Sequence, residues 1–167
     1  MRENQLYGKQ TKCEFLKNKI EFLGHIISNM GIQTDSNKIE VIMNWPNPKN
    51  VSELRSFLGI ANYYHRFIKN FAEIAASLNE LLKKDVEFKW ETNHQEAFEK
   101  LKECLTSSPV LAIPDSDMEF SLHTDASDKT IGAVLSQNNH PVAFTSRKLN
   151  DAELNYPTHE KEFLSII

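Results

Sequence analysis

The sequence predicts an α+β chain: a β-hairpin, then a run of helices, then three antiparallel strands leading into the start of one more helix. Three observations carry the prediction. Short apolar runs broken by turn-forming residues occupy residues 12–34 and again 118–149. Between them, apolar residues recur at spacings of three and four. Prolines and capping residues sit at the joints of this pattern.

Residues 12–28, "KCEFLKNKIEFLGHIIS", read as two short strands about a polar turn at "KNK", with Phe15, Ile20, Phe22, Leu23, Ile26 and Ile27 as the apolar content. "NMGI" then turns the chain, and Gly31 suits a positive φ. Asp35 is placed to cap a short helix, "SNKIEVIMNW", which "PNP" ends because proline cannot continue a helix. Asn50 with Glu53 three residues later resembles a capping pair, and a helix follows over residues 51–69. Its apolar stripe is Leu54, Phe57, Leu58, Ala61, Tyr64 and Ile68. "FAEIAASLNELLKK" predicts a further helix with Ile74, Leu78, Leu81 and Leu82 on one side.

"FKW" reads as a short strand, and Thr92 with Gln95 as a capping box for a helix over residues 93–106, striped by Ala97, Phe98, Leu101 and Leu105. "SSPVLAIPD" is an extended connection, since each proline disfavours helix at the residue before it. "MEFSLHTD", "TIGAVLSQ" and "PVAFTSRKL" are three strands, and Thr158 is placed to cap "HEKEFLSII". That last apolar run is about two turns long and marginal as an isolated helix. The sequence therefore reads as a piece of a longer chain.

Composition excludes some classes. No stretch approaches about 18 consecutive apolar residues, so no membrane span is expected. The N-terminus has no apolar core of the secretory kind. The two cysteines, Cys13 and Cys104, are far apart and read as packed, reduced thiols of an intracellular protein. The expected location is cytoplasmic, with nuclear access left open, as no Lys/Arg run of five or more appears. The net charge of −4 is unevenly spread. Residues 1–70 hold ten Lys/Arg against six Asp/Glu, giving +4, and residues 71–167 hold nine against seventeen, giving −8. A basic first part suits a polyanion, and an acidic second part suits metal ions or nothing in particular.

Two features invite a functional reading. Asp125 ends an apolar strand, where it either caps a turn or holds a metal ion. Opposite the stripe of the 51–69 helix stand Arg55, Gly59, Asn62, Tyr63 and Arg66. Arg55, Gly59 and Tyr63 are four apart and share a side. Glycine inside a helix costs about 1 kcal/mol relative to alanine. Gly59 therefore marks either a close approach by something bulky or a solvated face that tolerates it. Arginine pairs with phosphate and tyrosine packs on a sugar or base, which favours a nucleic-acid backbone.

In combination, "KCEFLKNKIEFLGHIIS", "VSELRSFLGIANYYHRFIKNFAEIAASL", "FKWETNHQEAFEKLK", "LHTDASDKTIGAVLSQ" and "NYPTHEKEFLSII" resemble the Pol polyprotein of gypsy-type LTR retrotransposons. The match runs through the end of the reverse transcriptase into the ribonuclease H that follows. The resemblance implies four segments: the end of the palm with its primer-grip hairpin (1–34), thumb-like helices (35–85), a helical connecting segment (86–117) and the first half of an RNase H-like sheet (118–167). It implies that Phe22, Leu23 and Gly24 belong to the primer grip. It also implies that the helix from Val51 tracks the minor groove of an RNA–DNA hybrid or template–primer duplex through Arg55, Gly59 and Tyr63, with Asn62 and Arg66 on the same face. Contacts of that kind go to sugar and phosphate and carry little sequence preference.

The resemblance further assigns Asp125 and Glu162 as the first two carboxylates of two-metal RNA hydrolysis, with Mg²⁺, or Mn²⁺ in its place, as the ions. A helical wheel through Tyr156, Phe163, Leu164, Ile166 and Ile167 puts Glu160 nearer the apolar centre. A charge there would be heavily desolvated. Glu162 is therefore the expected ligand, Glu160 a solvated first-turn residue, and Asp128 a turn residue. The family's polymerase Asp-Asp pair has no counterpart here, and two further RNase H aspartates would lie past Ile167. The expected partner is the remainder of a Pol polyprotein, and these residues alone are expected neither to synthesise DNA nor to cleave hybrid at a useful rate. The alternatives are a duplex-binding module without chemistry and a degraded element copy without function.

Overall fold

A computed structural model describes residues 7–167. The first sheet is an antiparallel meander of β1 (Lys19–Phe22), β2 (His25–Ser28) and β3 (Gly31–Thr34). The β1–β2 turn is Leu23–Gly24 rather than "KNK". Both residues have positive φ, +49° and +73°, which gives a two-residue hairpin turn whose twist matches its strands. The expected strand at Phe15 is absent, and Phe15 lies exposed. Gly31 has φ +128°, and a Cβ there would overlap the Leu111 carbonyl oxygen.

Asp35 caps α1 (Ser36–Met43), its carboxylate accepting from the Asn37 amide at 3.0 Å. Asn50 caps α2 (Val51–Tyr63), accepting from the Glu53 amide at 3.0 Å, while Glu53 reaches back to the Lys49 amide and the Asn50 side chain. The expected 51–69 helix stops at Tyr63. A 3₁₀ turn (His65–Phe67) follows, and Asn70 turns the chain at φ +58°. The next helix is broken into α3 (Phe71–Ile74) and α4 (Ala76–Glu80).

The residues of "FKW" form no strand. Phe88 and Trp90 stack 6.2 Å apart against the core instead. Helix α5 (Thr92–Thr106) begins one residue earlier than expected, so Glu91 rather than Thr92 precedes it, and His94 Nδ1 accepts from the Glu91 amide. Gln95 is not a capping residue; its side-chain oxygen accepts from Trp90 and Asn47.

The apolar stripe of α2 is fully buried. It forms one core with Ile42, Phe67, Ala75, Leu78, Leu81, Phe98, Leu101, Leu105 and Leu111, and Phe57 and Phe98 meet at 4.5 Å between ring centroids. Each buried Leu, Ile or Phe among them contributes about 1.5–3 kcal/mol by leaving water. The segments expected at 35–85 and 86–117 thus share a single interior. Cys104 is half-buried, but Cys13 is exposed, contrary to the expected packing of both thiols.

The second sheet is antiparallel in the order β4 (Ser121–Ala126), β5 (Thr130–Gln137), β6 (His140–Lys148). Asn138 and Asn139 both have positive φ and close the β5–β6 hairpin. The connection before it hydrogen-bonds to both sheets. Leu111 exchanges two backbone bonds with Ile32, at 2.7 and 2.9 Å, and the Ala112 amide donates to the Pro141 carbonyl at 2.8 Å. The helices also meet β6 directly, through Ala72 N–H to Ser146 Oγ (2.9 Å) and Lys148 Nζ to Glu80 (2.7 Å).

Helix α6 (Thr158–Ile166) packs against β4 and β5, with Pro157 rather than Thr158 at its cap. Its buried residue is Lys161, whose Nζ donates to the Asp128 carbonyl at 3.2 Å, flanked by half-buried Leu164 and Ser165. Phe163, Ile166 and Ile167 are exposed, so the expected apolar face is not the packed one. No helix among the described residues is long and apolar enough to cross a membrane.

Candidate nucleic-acid interface

The Leu23–Gly24 turn lies against α2. Tyr63, the last residue of α2, donates its hydroxyl hydrogen to the Leu23 carbonyl, and Tyr64 donates to the Gly24 carbonyl at 2.9 Å. These bonds reach across forty residues; Tyr63 satisfies the Leu23 carbonyl, and Tyr64 adds a second donor to the Gly24 carbonyl, which also accepts from the Asp35 amide at 3.3 Å. A Cβ at Gly24 would stand 3.0 Å from the Tyr64 hydroxyl oxygen, and φ is positive there, so the turn admits glycine best.

Between turn and helix runs a groove of about 520 Å³ lined by Leu23, Gly24, Lys38, Gly59, Ile60, Tyr63 and Tyr64. Four of the sequence-assigned residues, Leu23, Gly24, Gly59 and Tyr63, therefore meet in one place. Phe22 precedes the turn and is 56% exposed. Gly59 is exposed, and a Cβ built on it has nothing within 4 Å. Arg55 is exposed one turn earlier on α2.

Two residues assigned to this face lie elsewhere. Asn62 lines a separate groove with Ala76, Glu80 and residues 145–148 of β6. Arg66 falls in the 3₁₀ turn, where three residues rather than 3.6 complete a turn, and this swings it off the α2 face. Its guanidinium is half-buried and reaches the Val142 carbonyl at 3.5 Å, with Nε buried and unpartnered.

The residues missed by sequence reasoning are Lys38, Ile60 and His25, together with the polar role of Tyr64, which the stripe placed only in the core. His25 opens β2 beside Tyr63, Tyr64 and Phe67. Burial, and then the nearby Arg66 charge, lower its pKa from the ordinary 6.5. Burial, and then Tyr63 and Asp35, raise the pKa of Tyr64. A histidine directly after a turn in an otherwise apolar strand was the available signal.

Asp125 is exposed on β4 opposite Gly132, and with His123, Lys69, Asn70 and Phe144 it lines a small cavity of about 110 Å³ between the helices and the sheet. Gly132 lines it too, and a Cβ there would make ordinary contact with Asn70 Oδ1 at 3.5 Å. Glu162 is exposed on α6, outside that cavity, as is Glu160. The structure thus puts the two candidate ligands on elements that pack together, but not in one cavity. Two exposed carboxylates are hard oxygen donors of the kind Mg²⁺ takes. Among the described residues, no group of three or more His, Cys, Asp or Glu gathers to hold an ion.

Residues 90–167 match the model of an RNase H-like domain found in reverse transcriptase. The chain is 47% identical over 157 residues to the retrovirus-related Pol polyprotein from transposon 297 of Drosophila melanogaster, covering 93% of this chain and 15% of that protein. It is 41% identical over 172 residues to the transposon Tf2-3 polyprotein of Schizosaccharomyces pombe, covering all of this chain and 13% of that protein. It therefore spans about a seventh of the length of such relatives. Among solved structures, it is similar to a foamy viral protease-reverse transcriptase in complex with RNA/DNA hybrid, at 27% identity and TM-score 0.84, over 93% of this chain and 22% of that one. A foamy viral protease-reverse transcriptase in complex with dsDNA gives 26% identity and the same TM-score, over 93% of this chain and 34% of that one.

Proposed function

This chain belongs to the reverse transcriptase and RNase H region of transposon Pol polyproteins, and from that premise we infer that the groove between the Leu23–Gly24 turn and α2 receives the backbone of a template–primer or RNA–DNA duplex. One observation carries the reading: turn and helix are tied by two tyrosine hydroxyls at a place where Gly59 offers no side chain to hold a bulky ligand away. Arg55, one turn earlier, supplies a cation for phosphate, and Tyr63, half-exposed, supplies a flat surface for sugar. The neighbouring foamy viral structures, held on duplexes, support a duplex as the ligand. The finer assignment to gypsy-type elements belongs to the same proposal.

DNA synthesis and RNA hydrolysis are proposed for the longer protein. Asp125 and Glu162 are proposed as two of its ligands for Mg²⁺, or Mn²⁺ in its place, which when bound supplies the Lewis acidity for in-line hydrolysis of the RNA strand. The contribution of this chain is to present those two carboxylates on β4 and α6 and to grip the duplex at α2.

The test is fluorescence anisotropy with labelled RNA–DNA hybrid over a salt series. Binding weakens linearly in log salt, and Arg55→Ala weakens it and lowers the slope by about one phosphate contact. Tyr63→Ala weakens it through both the lost surface and the freed turn. Binding indifferent to both substitutions would overturn the reading.

A further inference from the structure

His25 is held as a flat plate among three rings. It lies nearly parallel to Tyr63, with centroids 5.4 Å apart and 11° between planes, and stacks on Phe67 at 5.5 Å and 29°. Tyr64 meets it edge-on at 5.5 Å. Nδ1 is buried with no hydrogen-bond partner. A phenylalanine would fill the same space without an orphaned nitrogen and its desolvation penalty. The position therefore carries a titratable ring where an inert one would pack as well.

The charged and titratable groups around it come from every adjoining element. Arg66 approaches from the 3₁₀ turn, itself with an unpartnered buried Nε. Tyr63 and Tyr64 approach from the end of α2, with their hydroxyl hydrogens committed to Leu23 and Gly24. In the meander, His25 pairs with Phe22 and with Thr34. Asp35 follows Thr34 and acts on Tyr64, while Lys38 of α1 lines the groove. No carboxylate hydrogen-bonds to the imidazole among the described residues.

We propose that His25 is a positioning residue for the duplex groove that works only as the neutral imidazole. Neutral, it stacks with Tyr63 and Phe67 and keeps the Leu23–Gly24 turn against α2. Protonated, it places a second cation beside Arg66 with no acceptor for the new N–H, and the turn loosens from Tyr63. The inference rests on the duplex reading of the groove.

The sign follows from linkage. The closed arrangement binds the proton more weakly than a solvated histidine does, since burial and Arg66 both lower the pKa. Its full stability is present above the ordinary value of 6.5 and is lost as pH falls through the lowered one. All other protonations add positive charge and tighten polyanion binding as pH falls. Acid therefore acts through His25 against the trend of the rest of the molecule.

The experiment measures hybrid affinity of the full chain at fixed salt from about pH 8 to about pH 5, the window in which histidine changes charge. Wild type weakens several-fold toward acid, each unit of lowered pKa setting a tenfold limit. His25→Ala binds poorly at every pH. His25→Phe restores the neutral-pH affinity and tightens steadily toward acid. In parallel, the Tyr63 ring signals in NMR spectra shift with the titration of His25. Parallel pH profiles for wild type and His25→Phe would overturn the inference, as would Tyr63 signals that stay fixed while His25 titrates. If Arg55→Ala and Tyr63→Ala both bind hybrid as well as wild type, the duplex reading fails instead. The Tyr63 shifts, which need no nucleic acid, then still decide whether His25 holds the turn.

Discussion

Gly59→Ala separates a glycine kept for close approach from one merely tolerated, because the two readings share one effect and differ in the other. The residue lies inside α2, exposed, and a Cβ there meets nothing within 4 Å. Alanine therefore fits the free chain without strain and restores about 0.8–1.0 kcal/mol of helix propensity. For a domain of this size that raises the melting temperature by about 2–4 °C. The same methyl group projects into the groove where the duplex backbone is proposed to lie. Displacing the backbone enough to lose one charge-assisted hydrogen bond, about 1.5 kcal/mol, weakens binding by about tenfold. Gly59→Leu weakens it further. Thermal unfolding and hybrid anisotropy on the same samples read both effects. A chain stabilised by alanine that binds hybrid as tightly as wild type, and does so again with leucine, would refute the close approach. A destabilised Gly59→Ala would refute the open space above the glycine.

Other outcomes follow from particular contacts. Gly31→Ala combines a φ of +128° with overlap on the Leu111 carbonyl oxygen, and urea denaturation registers a loss of about 2 kcal/mol or more. Glu80 hydrogen-bonds to Lys148 and Lys83, which lower its pKa below the ordinary 4.5. Its contribution is complete above that ordinary value and is lost as pH falls through the lowered one. The group is well exposed, so Glu80→Gln costs no more than about 1 kcal/mol near neutrality and flattens the acid limb of the stability curve, as pH-dependent denaturation would show. If Asp125 and Glu162 share an ion, added Mn²⁺ broadens the NMR signals of both residues and Asp125→Asn relieves both. Broadening at Glu162 that survives the substitution argues against a common site.

Much of the architecture was legible because periodicity and punctuation agreed. The stripe of α2, the caps Asp35 and Asn50, the three strands after residue 118 and the need for glycine at 31 all stand in the structure. The errors have local causes. "KNK" looked like the hairpin turn because polar residues usually mark turns, yet Leu23 adopts positive φ and its carbonyl is satisfied by Tyr63, a partner forty residues away. Arg66 fitted a continuous helix that a 3₁₀ turn interrupts. On α6 the wheel followed side-chain type, whereas the sheet took Lys161 and left Phe163 and Ile166 in solvent. Leu23, Gly24, Gly59 and Tyr63 were each assigned, but that they form one groove with Lys38, with His25 stacked against Tyr63, depends on tertiary packing no spacing rule encodes.

Residues 111 and 112 give the molecule a mechanical property. A two-residue length of backbone is stitched to Ile32 on one side and Pro141 on the other, so neither ribbon of strands turns without dragging its counterpart. Heat should then dismantle both halves in a single calorimetric peak. Under tension, the load applied to one half should pass through this seam to the other before any helix unwinds.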